Sequence, residues 1–136
     1  MQVIEGSLDD LDAVVALWIR CDLARPFSDP REDFRRCIGT PDAAVLIGRA
    51  NSAVVATVMV GFDGHRAWVY FLASEPTLRR QGFARTMMNA AEQWARDRGA
   101  PRLNLMVREE NAAAVSLYER LGMARQPVLL MGKSLD

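Results

Sequence analysis

Apolar side chains change their spacing several times along this chain, and each change marks an element. Leu8, Leu11, Val14, Val15 and Trp18 recur at helical spacing after Ser7, with Asp10 three residues on completing a capping-box pattern, so a first helix runs to Arg20 or Cys21. Residues 2–5 ahead of it read as a short strand. Asp29-Pro30 is a second start signal, a cap followed by proline at the first helical position. Phe34, Cys37 and Ile38 give that helix an apolar side, and Gly39 stops it. Residues 43–49, 53–62 and 66–74 are then strand-like, with turn signals at Asn51-Ser52 and Asp63-Gly64, so the middle of the chain is an antiparallel meander.

Helical spacing returns over 82–98, with Phe83, Met87, Ala91, Trp94 and Ala95 on one side, and Gly99 and Pro101 end it. Residues 102–107 are expected as a strand, 111–121 as a helix capped by Gly122, and 123–126 with 128–133 as a last strand pair. The order is β-α-α-β-β-β-α-β-α-β-β. The fold class is therefore α/β in the mixed sense: a mostly antiparallel sheet of six to seven strands flanked by four helices. No repeat, linker or low-complexity tract interrupts residues 1–136, which are expected to fold as a single domain.

Composition narrows the function classes. With 50% hydrophobic and 25% charged residues the chain is an ordinary globular protein. Lys plus Arg equal Asp plus Glu, 17 against 17, so nothing advertises a nucleic-acid or membrane partner. The start of the chain has no basic, apolar and small-residue succession of a secretory signal, and the longest apolar run, 53–60, is broken by Thr57. Cys21 and Cys37 have neither metal-ligand nor redox spacing, so free thiols, no metal and a cytoplasmic location are expected.

Two constellations carry candidate chemistry. The first is Arg79-Arg80-Gln81-Gly82-Phe83-Ala84, which leads from a strand, past Pro76, into a helix. Unpaired N–H groups and the dipole at a helix start favour an anion, Gly82 admits close approach, and two guanidinium groups add charge-assisted hydrogen bonds. It is neither a Walker loop nor a dinucleotide fingerprint, and such a loop alone is more often a solvated surface turn. The second is Asn111-Ala112-Ala113-Ala114-Val115-Ser116-Leu117-Tyr118-Glu119-Arg120-Leu121-Gly122. Here Asn111 caps a helix on which Val115 and Tyr118 fall on nearby parts of one face.

Together these segments resemble the GNAT superfamily of acetyl-CoA-dependent acetyltransferases. Arg79 to Ala84 match its Arg/Gln-x-x-Gly-x-Gly/Ala signature, and Asn111 to Gly122 match its Asn-x-x-Ala-x-x-Leu-Tyr-x-x-Leu-Gly signature. The 21–26, 29–30 and 61–66 segments are similar to a bacterial, YpeA-like subgroup. The resemblance implies an N-acetyltransferase in which a primary amine of a small molecule or peptide attacks acetyl-CoA directly. It implies a bulge near Leu72-Ala73-Ser74, a splay from the next strand, and backbone there pairing with the pantetheine arm. An amide near Leu72 would polarise the thioester carbonyl. Asn111 would bind the pantetheine side, and Tyr118 would protonate the departing thiolate.

One departure stands out. Many relatives place a glutamate on the following strand as general base, and this chain has Met106 there. Asp63, His65, Glu75, Glu109 and Glu110 are the alternatives, each also readable as a turn or surface residue. That departure also keeps open a catalytically weak acyl-CoA-binding regulatory module. Residues 22–30 are expected to form a lid over the acceptor side, where Arg25, Phe27, His65 and Arg66 are substrate-binding candidates. A homodimer formed by exchange of the last strands also stays open.

Overall fold

The computed structural model describes residues 1–136, which form two compact units, Met1–Met106 and Val107–Asp136. The first contains β1 (Gln2–Glu5), α1 (Leu11–Arg20), α2 (Pro30–Ile38), β2 (Ala43–Ala50), β3 (Ala53–Phe62), β4 (Ala67–Ser74), α3 (Phe83–Asp97) and β5 (Leu103–Leu105). The second contains α4 (Ala112–Arg120).

Local chemistry sets the boundaries. The Asp10 carboxylate accepts from the Ser7 N–H at 2.9 Å, opening a short 3-10 turn that runs into α1. Asp29 caps α2 by accepting from the Arg31 N–H at 2.9 Å, with Pro30 at the first helical position. Asn51 and Ser52 both have positive φ, so β2 and β3 are joined by the tight hairpin whose twist matches theirs.

The sheet has the order β1-β2-β3-β4-β5, antiparallel throughout except for the parallel β4–β5 pair. A parallel pair needs a crossover, and α3 supplies it. Val45, Ile47, Val54 and Ala73 pack with Val14, Val15, Leu17, Trp18, Phe34 and Cys37 of α1 and α2. The alternate residues Ala44, Leu46, Val58 and Val60 are buried as well. They face the other side of the sheet, where α3 lies against β2, β3 and β4 with Met87, Met88, Ala91 and Trp94 buried.

The expected six to seven strands are corrected to five. Residues 123–133 form no strand, and Val128, Leu129, Leu130 and Met131 are exposed. Four consecutive apolar residues after Pro127 lack the alternation of a half-buried strand, and the proline has no N–H to give to a ladder. No helix is long and apolar enough to cross a membrane.

Candidate active site

The site grows from one irregularity in β4. Opposite β3, the register runs Thr57↔Ala73 and then Met59↔Tyr70, so β4 carries an extra residue at Phe71-Leu72. Phe71 takes a left-handed backbone, φ 52°, which costs a non-glycine residue about 1–2 kcal/mol. Buried contacts offset that cost. The Thr57 hydroxyl, 0% exposed, donates to the Phe71 carbonyl at 2.9 Å and accepts from the Trp18 indole N–H at 2.9 Å. The Phe71 ring stacks on Trp18 at 3.9 Å, and Phe34 meets Trp18 edge-on at 6.1 Å. Two satisfied hydrogen bonds at about 1 kcal/mol each and a ring stack at about 0.5–1.5 kcal/mol outweigh the backbone strain.

The bulge coincides with a divergence. β5 pairs with β4 only at Ala67↔Leu103, Trp68↔Asn104 and Val69↔Leu105. From Tyr70 onward β4 has no strand beside it on that edge, so backbone groups of Leu72, Ala73 and Ser74 that face it have no ladder partner. The Ser74 carbonyl accepts from the Cys21 thiol at 3.2 Å. Glu75, next along, accepts from Arg20 Nε at 3.1 Å and Nη2 at 2.6 Å, an ion pair that ties the strand end to α1.

Past a 3-10 turn at Pro76–Leu78, Arg79 is extended, Arg80 is left-handed at φ 70°, and Gly82 is left-handed at φ 76°. The first helical bond of α3 closes from the Thr86 N–H to the Gly82 carbonyl at 3.1 Å, so the Phe83 and Ala84 N–H groups have no helical acceptor. A Cβ added at Gly82 would meet nothing within 4 Å, so its glycine answers to backbone conformation and leaves open space above the helix start.

A cavity of about 590 Å³ opens on the α1–α2 side of the sheet. Its floor includes Met59, Tyr70 and Phe71, so it reaches the bulge, and its wall includes Arg25, Phe27 and Arg36. Arg25 and Phe27 both line this cavity. His65 and Arg66 do not: they stand on the β3–β4 hairpin loop, outside the cavity lining. Five residues of extended chain separate Arg66 from Phe71, roughly 17 Å. Asp63 is a turn residue, accepting from the His65 and Arg66 N–H groups at 2.7 and 2.8 Å, and these bonds hold its pKa below the usual carboxylate value. Met106 lies just beyond β5 and is exposed.

The second unit carries the other motif. Asn111 Oδ1 accepts from the Ala114 N–H at 3.1 Å, capping α4 and leaving the side-chain NH₂ as donor. Val115 is buried and Tyr118 half-buried, and burial pushes the Tyr118 pKa above its ordinary value. A phenol so placed stays protonated at neutral pH and can donate. Tyr70, Asp33 and Arg36 of the cavity, and the bridging role of Thr57, are not evident from local sequence pattern. The one signal for the latter was a lone hydroxyl within the apolar run 53–60.

Comparison with known proteins decides the family. The model of the acetyltransferase (GNAT) family matches residues 11–123. An acetyltransferase of Yersinia pestis is 39% identical over 135 residues, covering 99% of this chain and 96% of that one. The chain belongs to the GNAT acetyltransferase family. As a member it is an acetyl-CoA-dependent N-acetyltransferase. Among solved structures, the aminoglycoside N-acetyltransferase AAC(6')-Iy in complex with CoA superposes with TM-score 0.84 at 13% identity, over 99% of this chain and 95% of that one. An aminoglycoside acetyltransferase from an uncultured soil metagenomic sample, in complex with sisomicin, gives TM-score 0.82 at 16% identity, over 99% and 96%. At such identity these two establish the GNAT fold alone.

Proposed function

We propose that this GNAT protein transfers the acetyl group of acetyl-CoA to a primary amine of a small molecule seated in the cavity beside β4. The observation that carries this reading is the end of the β4–β5 ladder at Val69, immediately before the Phe71 bulge. An open strand edge there suits the amide-bearing arm of CoA, and the cavity reaches the same bulge from the acceptor side. The loop beyond fits the pyrophosphate. Arg79 and Arg80 can add their guanidinium groups to the open Phe83 and Ala84 N–H groups, and no side chain occupies the space over Gly82.

In this reading a neutral amine attacks the acetyl carbon, forming the C–N bond. The C–S bond breaks, and CoA leaves as the thiol. The Leu72 amide polarises the carbonyl, Asn111 holds the pantetheine arm, and Tyr118 supplies a proton to the sulfur. Met106 cannot accept the amine's surplus proton, which passes to solvent, and solvent returns a proton to Tyr118. The only carboxylate lining the cavity, Asp33, is already bound by Ser28 and Arg36. Positioning both reactants accounts for much of the acceleration.

Acetyl-CoA at a hundredfold excess over Kd should add about 2.7 kcal/mol to native-state stability. Tyr118→Phe should lower turnover about tenfold or more while leaving that stabilisation nearly intact. No stabilisation by acetyl-CoA, or full turnover in the Tyr118 variant, contradicts the assignment.

A further inference from the structure

The walls of the cavity have a chemistry of their own. Arg25, Pro26, Phe27 and Ser28 form a tight turn, closed by the Ser28 N–H to the Arg25 carbonyl at 3.2 Å, with proline at the position that favours its fixed φ. The turn is pinned at both ends. Ser28 Oγ donates to Asp33 Oδ2 of α2 at 2.5 Å, and Arg25 Nη1 donates to the Asp22 carbonyl at 2.8 Å. Phe27 is therefore held out at 80% exposure on an ordered turn, at the rim of a cavity whose floor presents Tyr70 and Phe71. An exposed aromatic on a fixed support has little entropy left to lose when it covers an apolar ligand.

Charge selects further. Three charged side chains line the cavity: Arg25, Asp33 and Arg36. Asp33 is spoken for, by Ser28 Oγ and by Arg36 Nη2 at 2.6 Å. Arg25 has only backbone carbonyls as partners, through Nη1. The cavity thus offers one guanidinium with no carboxylate partner and no free carboxylate, which is the wrong sign for a polycation.

We infer that the acetyl acceptor is an amino carboxylate with an apolar body, bound with its carboxylate on Arg25, its apolar part against Phe27 and Tyr70, and its amine toward Phe71. This rests on the reading of the cavity as the acceptor side of the acetyl-transfer site. The reaction is the one set out above: the amino group of the acid gains the acetyl group, and CoA leaves as its thiol.

The test compares each acid with the amine that lacks its carboxylate: L-phenylalanine with phenylethylamine, L-methionine with methylthiopropylamine, and ε-aminocaproate with pentylamine. Spermidine and kanamycin serve as polycations. Thiol release gives kcat/KM, and the best acid should exceed its own decarboxylated counterpart by about tenfold or more. Arg25→Ala should collapse that ratio toward one by lowering the rate for the acid, and Arg25→Lys should restore part of it. Decarboxylated amines or polycations preferred over every acid, or a ratio unmoved in Arg25→Ala, overturn the inference.

A binding measurement decides independently of turnover. N-acetyl-L-phenylalanine should shift the Arg25 and Phe27 amide resonances at several-fold lower concentration than N-acetylphenylethylamine. Equal responses, or none, overturn the inference. If acetyl-CoA fails to stabilise the protein, the acetyl-transfer reading falls, while the paired ligands still decide what this cavity binds.

Discussion

Phe71 and Arg80 are both non-glycine residues with left-handed backbone, at φ 52° and 70°, and they sustain it in different ways. Phe71 is held from inside, by Thr57 on its carbonyl and Trp18 on its ring, within the cluster that joins α1 and α2 to the sheet. Arg80 stands exposed between Arg79 and Gln81, with no side-chain hydrogen bond or ion pair to hold it. Strain that the core over-determines fixes a shape before any ligand arrives. At the helix start nothing in the protein holds the strained residue, and the proposed function supplies its partner, the phosphates of the cosubstrate.

The largest effect is expected at Thr57, which holds both the Trp18 N–H and the Phe71 carbonyl. Thr57→Val keeps the shape but leaves the Trp18 N–H and the Phe71 carbonyl buried without partners. It should cost about 2–4 kcal/mol in denaturant unfolding and lower turnover more than acetyl-CoA affinity. A loss under about 0.5 kcal/mol, with turnover intact, would mean that stacking alone shapes the bulge.

Cys37 reports on the same internally held region through pH. Burial, with the Glu5 charge as a lesser cause, pushes its thiol up to about 11 from 9.0. The folded pKa lies above the unfolded one, so this contribution is fully present below about pH 9 and is lost as pH rises toward 11, at about 1.4 kcal/mol per pH unit. Cys37→Ala should flatten the decline of stability between about pH 9 and 10, before Tyr70 and Tyr118, whose pKa values are raised too, begin to add their own. An unchanged slope would place the thiol in water.

The smallest effect is at the open end. Arg80→Gly removes the backbone strain and should raise stability without ligand by about 1 kcal/mol, or somewhat less after the entropy of the new glycine. The same variant should shrink the increment gained from acetyl-CoA. A variant that lost stability without ligand would show Arg80 to be held internally, like Phe71.

Much of this was legible in the sequence, because the signals were local. The Ser7, Asp29 and Asn111 caps, the Asn51-Ser52 hairpin and the period of each helix act within a few residues of themselves. The last strands were not legible, since a strand exists only with a partner and 128–131 carry hydrophobicity without alternation. The cavity beside β4 was half legible. Arg25 and Phe27 sit on one loop, but Met59, Tyr70 and Arg36 join them only through the packing of α2 on the sheet. His65 was attractive for its chemistry, and the register of the hairpin, which spacing alone does not reveal, sets it on the loop away from the Phe71 bulge and outside the cavity lining.

Amide hydrogen exchange with and without acetyl-CoA tests the central claim most directly. Exchange should slow at Leu72, Ala73 and Ser74 and at Phe83 and Ala84 together, at the same ligand concentration, with the Trp18–Thr57 region unchanged. Protection of one segment without the other, or of neither, would contradict a single site running from the β4 edge to the start of α3.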